Sequence, residues 1–368
     1  MGMDETRRRF MVRSAAIAAA PFISTSVTRA LAQGSKPKLG FAICGLGSLS
    51  EHQIAPALLK TQNCRLTGVI TDSPDKAKSW QAKYNIPKKN VYTYDTMAKM
   101  ADNKDIDVIY IVTPNALHAE QTLAAAKAGK HVYVEKPMEV SVEKCQQMID
   151  ACKAAKRKLG VAYRCQFDPN HLECIRLVRS KEFGDLRFIE AGFNVGIGEP
   201  GQWRLKRALS GGGALMDVGI YALQATRYLS GEEPVQVTGI EQKTDPVKFA
   251  EVDQSMLWQM KFPSGALASS TCSYDTGLSS SFRVHCQRGW FELNPAFFYN
   301  GNRGRRSDGK EIALPADDLF ALQMDDFARC ITEDKPSKVS GEEGLRDVKI
   351  MMAIYEAART GRAVSLSA

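Results

Sequence analysis

The sequence predicts two domains. The first is an N-terminal α/β domain built on a doubly wound parallel sheet. The second is an α+β domain whose largely antiparallel sheet keeps one face open. Three observations carry this expectation. Residues 38–71 read as strand, glycine turn, helix and strand, the unit from which parallel sheets are wound. Up to residue 163, short apolar runs alternate with helical patterns, and near-continuous apolar runs suit strands covered on both faces. Beyond Val235, strand-like runs follow one another with no helix between them, which antiparallel pairing allows.

The length of 368 residues suits two domains at a typical size of about 150 residues. The predicted boundaries are 37–163 and 164–368. Apolar residues make up 44% and charged residues 24%, which excludes a mainly disordered or fibrous chain. No run of 18 apolar residues occurs, so no permanent membrane anchor is expected. The net charge is +8, and outside the N-terminus it is dispersed rather than blocked. That argues against a nucleic-acid partner and suits an enzyme with an anionic ligand. None of the nine cysteines forms C-x-x-C. No metal site is therefore expected, and the cysteines read as small buried hydrophobes.

Residues 1–32 read as an export signal. Arg7, Arg8 and Arg9 precede the apolar stretch Ala15–Val27, and Ala30-Leu31-Ala32 offers small residues for cleavage. The Arg7-Arg8 pair before Phe10 resembles a twin-arginine signal, which predicts a periplasmic protein with a mature chain starting near Gln33. A basic arm without an address function is the alternative.

The first strand, Lys38–Cys44, runs into Gly45-Leu46-Gly47-Ser48-Leu49-Ser50, followed by a helix to about Thr61 and a strand over Arg65–Thr71. This is a Rossmann fingerprint in its proper context. Gly45 permits the tight turn, Gly47 lets a pyrophosphate approach, and Ser50 is small enough for close packing. Gly45, Leu46, Gly47, Ser48 and Leu49 are thus candidate cofactor-binding residues at a helix start. The position that carries a ribose-binding carboxylate in NAD enzymes holds Thr71. Thr71 and Lys76 together suit the 2′-phosphate of NADP. Asp72 could instead turn to the ribose, which keeps NAD as the runner-up. Ser73 fits best as the cap of the next helix.

Asp107–Thr113 is the next buried strand, and Pro114, Asn115 and His118, which open the turn and helix after it, are further candidate cofactor-binding residues. Lys130–Glu135 is another, ending in Glu135-Lys136-Pro137. Ligands of such sheets bind at the carboxyl ends of the strands, so Lys136 projects where a nicotinamide would lie. A helix over Val142–Lys158 and a strand over Gly160–Tyr163 close this half.

The second domain opens with a helix from Pro169 to about Ser180. A loop with Gln202-Trp203-Arg204-Leu205 and Gly211-Gly212-Gly213 leads into a helix from Ala214 to Leu229. Leu215, Val218, Ala222, Ala225 and Leu229 form its apolar stripe. Asp217 and Tyr221 lie off that stripe, so the core does not need them. Strands are expected at Met256–Phe262, Ala266–Ser273 and Phe282–Leu293, and a final helix at about Glu342–Thr360. The chemistry then suggests itself. A tyrosine serves as acid/base where a cation stabilises its phenolate. Lys136 from the first domain and Tyr221 from the second could meet in the cleft, with Asp217 holding Lys136 charged. Lys136, Asp217 and Tyr221 are the candidate catalytic residues.

GLGSLS, AGKHVYVEKP, YRCQFDP, QWRL and GGGALMDVGIYALQATRYLSGEEP together resemble the Gfo/Idh/MocA oxidoreductase family, most of all its glucose–fructose oxidoreductase branch. The resemblance spans nearly the whole mature chain. It implies hydride transfer between a nicotinamide cofactor and a sugar or polyol carbon. It also implies a cis Lys136–Pro137 bond and cofactor contacts at Arg164, Arg204 and the neighbouring Trp203, with Glu135 near the nicotinamide. Two stretches, Val195–Gln202 and Asn300–Gly309, are short against the family pattern, so the substrate pair does not carry over. Export adds a constraint, because no replenished NADP pool exists outside the cytoplasm. The expected function is therefore an oxidoreductase with tightly bound NADP(H), oxidising an aldose to its lactone and reducing a second sugar in a ping-pong cycle. The alternatives are a redox-neutral glycosidase or lyase using the bound cofactor, and an ordinary NAD(P)-dependent sugar dehydrogenase. Its partners are expected to be small sugars, in a homodimer or homotetramer.

Overall fold

The computed structural model describes residues 38–366, so the predicted signal at 1–32 lies outside the described residues. Strands β1 (Leu39–Cys44), β2 (Cys64–Ile70), β3 (Val91–Tyr92), β4 (Val108–Ile111), β5 (His131–Val134) and β6 (Leu159–Val161) form an all-parallel sheet in the order β3-β2-β1-β4-β5-β6. This is the doubly wound order, which reverses direction between β1 and β4. The central strands are buried throughout: Phe41–Cys44 and Val108–Ile111 are 0% exposed, as strands covered on both faces must be. Helices α1 (Ala55–Leu58), α2 (Pro74–Tyr84), α3 (His118–Lys127) and α4 (Val142–Ala154) follow these strands. The expected elements are present with slightly shorter ends, and the short edge strand β3 is an addition.

The second sheet holds β7 (Leu186–Gly196), β8 (Gln236–Gln242), β9 (Ser255–Lys261), β10 (Leu267–Ser273), β11 (Asp275–Cys286), β12 (Gly289–Leu293), β13 (Gly304–Arg306), β14 (Glu311–Ile312) and β15 (Val364–Ser365). Its order is β14-β13-β12-β11-β7-β10-β9-β8-β15. All neighbours are antiparallel except β7 and β10. Strand β7 is central and was not foreseen, although Ile189, Ala191 and Phe193 alternate as a half-buried strand should. The run expected as one strand at Phe282–Leu293 is instead a hairpin. Arg283 and Glu292 face each other across it, and it turns at Gln287-Arg288. The remaining helices are α5 (Pro169–Arg179), α6 (Arg207–Ser210), α7 (Ile220–Ser230), α8 (Leu319–Thr332) and α9 (Gly341–Thr360). Helices α5, α7 and α9 cover one face of the sheet. The other is open.

Helix α8 qualifies the simple division at residue 163. It belongs to the second half of the sequence but packs on the first sheet. The Phe327 ring lies 4.8 Å from that of Tyr133, and Gln323 donates to the Tyr110 hydroxyl at 3.1 Å. The Asp325 carboxylate accepts from the backbone N–H groups of Gln62 and Asn63 at 2.8 and 2.7 Å. Eight of the nine cysteines are buried and all are free. Among the described residues no helix is long and apolar enough to cross a membrane.

A buried ion network ties α7 to α9. Arg227 donates to Asp347 at 2.6 Å, to Glu233 and to Glu343 at 3.1 Å, and the Asp347 side chain is fully buried. Arg227→Met keeps the aliphatic stem but leaves the buried Asp347 carboxylate without its cation, with Gln224 still donating to it at 2.6 Å. It should lower unfolding stability by about 3–5 kcal/mol, read from the shift of the denaturant midpoint at neutral pH.

Candidate active site

The turn after β1 is shaped by its glycines. Gly45 has φ +97°, and a Cβ there would lie 2.8 Å from Cγ2 of Thr113, so only glycine is accommodated. A Cβ on Gly47 would meet nothing within 4 Å, leaving that flank open to a ligand. Ser50 is 0% exposed and donates to the Gly45 carbonyl at 2.6 Å, which fits the packing role expected of it. The helix begins there as a π turn, Ser50–Ile54. Lys76 reaches back to the Leu46 carbonyl at 2.9 Å, which places its ammonium at the loop. Thr71 is nearly buried and accepts from the Ser73 N–H at 3.2 Å. Ser73 caps α2 as expected. Asp72 accepts from the Tyr94 N–H at 3.1 Å, so one of its oxygens is engaged by backbone. An open glycine flank, a helix start and a lysine over the loop together fit a dinucleotide phosphate.

Two residues expected to bind the cofactor have side chains bonded to the scaffold. His118 is 0% exposed, and its ring nitrogens face the carbonyls of Thr113 at 2.9 Å and of Met138 and Pro137 at 3.1 and 3.2 Å. Burial pushes its pKa down, and it braces the Lys136–Pro137 loop rather than lining the cavity. Asn115, next to Pro114, donates to the Ser210 carbonyl at 2.8 Å and so ties the first sheet to the loop before Gly211. The Lys136–Pro137 bond is cis, as the resemblance implied.

The three candidate catalytic residues do converge. Lys136 Nζ donates to the Asp217 carbonyl at 2.7 Å and to Asp217 Oδ1 at 3.0 Å. It also lies 4.9 Å from the Tyr221 ring centroid. Asp217 Oδ2 accepts from Arg204 Nε and the Tyr274 hydroxyl, both at 3.0 Å. Burial alone would raise the Asp217 pKa, but Lys136 and Arg204 override it and hold the carboxyl well below the usual range. Burial likewise opposes the Lys136 charge, and Asp217 leads the groups that raise its pKa above the ordinary value. Trp203 carries the Arg204 guanidinium on its ring at 4.6 Å. Glu135 accepts from the Tyr110 hydroxyl at 2.8 Å, and burial raises its pKa against the opposing charge of Lys136.

Asp217 does not sit on a regular helix. Leu215–Gly219 forms a π turn that precedes α7, an irregularity frequent at functional sites. The apolar stripe from Leu215 to Leu229 is buried as expected. Arg164 is 3% exposed and donates to the carbonyls of Phe297 and Phe298 at 2.6 and 2.9 Å. Its guanidinium lies between the rings of Tyr221 and Tyr299, at 4.9 and 4.8 Å. Thus two cations, Lys136 and Arg164, face the Tyr221 phenol. A cavity of about 700 Å³ joins Ser48 and Leu49 of the glycine loop to Glu135, Lys136, Arg164, Arg204, Asp217 and Tyr221. Phe193, Phe297, Phe298 and Tyr299 supply its aromatic wall. Tyr274 and this wall were missed from sequence. Tyr274 stands just past a predicted strand, and nothing local pairs it with Asp217.

Comparison with known proteins agrees with this geometry. The pattern of the oxidoreductase family with an NAD-binding Rossmann fold (GFO_IDH_MocA) matches residues 39–163, and the GFO/IDH/MocA C-terminal domain matches residues 171–292. D-xylose 1-dehydrogenase [NADP(+)] of Haloarcula marismortui is 31% identical over 335 residues, covering 89% of this chain and 92% of that protein. 1,5-anhydro-D-fructose reductase of Ensifer adhaerens is 24% identical over 334 residues, covering 89% and 98%. Among solved structures, aldose-aldose oxidoreductase from Caulobacter crescentus, complexed with glycerol, superposes with a TM-score of 0.87. It is 41% identical, covering 89% of this chain and 100% of that one.

The ion pair has a pH signature. A carboxyl whose folded pKa is depressed contributes stability that is present above its unfolded pKa, near about 4, and is lost as pH falls toward the folded value. Wild type should therefore lose more stability than Asp217→Asn between about pH 6 and about pH 3. Denaturant midpoints measured at steps across that range check it.

Proposed function

The chain belongs to the Gfo/Idh/MocA oxidoreductase family, and from that premise we propose that it is an NADP-dependent sugar oxidoreductase that oxidises an aldose to its lactone and reduces a second sugar. The observation that carries this reading is the convergence of Lys136, Asp217 and Tyr221 in a cavity continuous with the glycine loop. When bound, NADP supplies the nicotinamide that accepts hydride from the aldose C1 and returns it to the second sugar. The glycine loop from Gly45 to Leu49 and Lys76 would hold its phosphates, and Thr71 would meet its ribose end.

The residues of the chain do the remaining work. Tyr221 takes the hydroxyl proton as the aldose becomes a lactone. It gives the proton back to the carbonyl oxygen of the second sugar. Lys136 and Arg164, both over its ring, offset the negative charge that its oxygen carries before it takes the proton and after it gives the proton back. Both Asp217 oxygens are engaged, by Lys136 on one side and by Arg204 and Tyr274 on the other, which suits orientation more than direct contact with sugar. The aromatic wall offers apolar faces for a pyranose ring and keeps water from the reacting carbon.

Retention of the cofactor between turnovers belongs to the same proposal, as does export by the twin-arginine route. The support for both is the signal-like segment at 1–32 and the nucleotide fold that follows it. The NADP-dependent xylose dehydrogenase relative favours a second reading, in which the cofactor exchanges freely. A redox-neutral reaction would yield no lactone. Assembly as a homodimer or homotetramer would use the open sheet face, where Phe188, Leu257 and Leu267 are 41%, 49% and 52% exposed.

The absorbance spectrum of purified protein separates these readings. A nicotinamide band should survive dialysis, grow with an aldose and bleach with a second sugar. Protein free of nucleotide that turns over only with added cofactor would leave the exchangeable reading. Tyr221→Phe should slow reduction of the bound cofactor by about 10²–10⁴-fold while cofactor content stays at the wild-type level. Stopped-flow absorbance measures both.

A further inference from the structure

Asp217 and Tyr221 are only as well placed as the segment that carries them, and the start of that segment is held from elsewhere. Asp253 lies just before β9 and is 3% exposed. Its Oδ1 accepts from the Gly213 N–H at 2.6 Å, and its Oδ2 accepts from the Leu215 N–H at 2.8 Å. Its main-chain carbonyl takes the Ala214 N–H at 3.2 Å. Three successive N–H groups at a helix start, which have no intrahelical partner, are thus satisfied by one residue about forty positions later in the chain. No side chain within the segment caps it.

The fit is tight enough to dictate sequence. A Cβ on Gly213 would lie 1.9 Å from the Asp253 carbonyl oxygen, and one on Gly212 would lie 2.1 Å from the Tyr355 hydroxyl. That hydroxyl in turn donates to Asp253 Oδ1 at 2.6 Å, so α9 contributes to the same clamp. The paired strands β9 and β10 hold the segment at a second point. Ser255 pairs with Ser273, their hydroxyls 2.8 Å apart. Asp253 stands just before one partner, and Tyr274, which donates to Asp217, stands just after the other. One rung of one sheet therefore sets both the start of the π turn and the carboxylate within it.

We propose that Asp253, steadied by Tyr355, is a positioning residue that sets the register of the π turn Leu215–Gly219 and thereby the contact of Asp217 with Lys136. It touches neither the cavity nor the catalytic side chains; it acts through the backbone of residues 213–215. This deepens the sugar-oxidoreductase reading and rests on it for the rate effects, but not for the labelling test below.

The test uses the full-length protein as purified, with Asp253→Asn and Tyr355→Phe. Asp253→Asn keeps the size of the side chain but removes the charge and one of its two acceptor oxygens. Its kcat for aldose oxidation should fall by about 10–100-fold with little change in KM. The isotope effect with C1-deuterated aldose should rise, because hydride transfer becomes slower relative to other steps. A loss of folded molecules would lower the rate without changing the isotope effect. Acylation of Lys136 by acetic anhydride, read by mass spectrometry against the exposed Lys60, should rise severalfold as the Asp217 contact loosens. That readout does not depend on which substrate the enzyme uses. Tyr355→Phe, which removes only one hydroxyl, should move all three quantities in the same direction by a smaller amount, and it decides the matter if Asp253→Asn does not fold. Folded variants with wild-type isotope effect and wild-type Lys136 labelling would overturn the proposal. Loss of aldose oxidation in wild type itself, with Lys136 labelling still raised by Asp253→Asn, would overturn the functional reading and leave the positioning role standing.

Discussion

The molecule turns on one partly buried ion pair. Lys136 leaves the carboxyl edge of the first sheet, and Asp217 sits on an irregular turn over the second. Burial disfavours both charges, and each offsets that cost for the other, with Arg204 sharing the Asp217 side. Their 3.0 Å contact fixes the distance between the two halves at the point where a reaction would occur. Much of the surrounding structure supports that pair. His118 braces the loop behind Lys136. Arg204, laid on Trp203, and Tyr274 occupy the second oxygen of Asp217. The consequence is a cavity whose cationic side faces a tyrosine before any ligand arrives, which is the preorganisation that proton transfer requires.

Sequence made the first sheet legible because its grammar is local. A glycine turn between an apolar strand and a helix leaves few alternatives, and β1, β2, β4 and β5 lie where the apolar runs placed them. The convergence of Lys136, Asp217 and Tyr221 was foreseeable for a related reason. Strand ends in such sheets point to one place, and a helix stripe that satisfies the core frees its other face. What remained hidden was non-local. Strand β7 carries the alternation of a strand, but its parallel partner β10 lies about eighty residues away. His118 looked like a cleft residue because it follows a strand end, yet its ring is turned inward onto three carbonyls. Tyr274 carries no pattern at all until its partner is known.

The π turn shows how regularity yields to chemistry. A regular helix from Ala214 would satisfy the same apolar stripe. The wider turn at Leu215–Gly219 instead accompanies a carbonyl and a carboxylate of one residue both directed at Lys136. Such a turn is intrinsically less stable than its α-helical equivalent. It is held here by contacts on either side, Asp253 at its start and the packed helix α7 at its end.

Helix α8 has a consequence for the order of biosynthesis. The nucleotide-binding sheet is complete in sequence by Val161, but the helix that covers Tyr110 and Tyr133 and anchors the residues 62–63 turn is not made until residues 319–332. While the ribosome is still translating the second sheet, those tyrosines lack their cover and the first half lacks a closed core. A nucleotide that needs the finished first domain must therefore wait for nearly the last tenth of the chain. The same connection forbids a simple exchange of nucleotide halves between relatives at residue 163, because a graft cut there would leave behind one of its own structural helices.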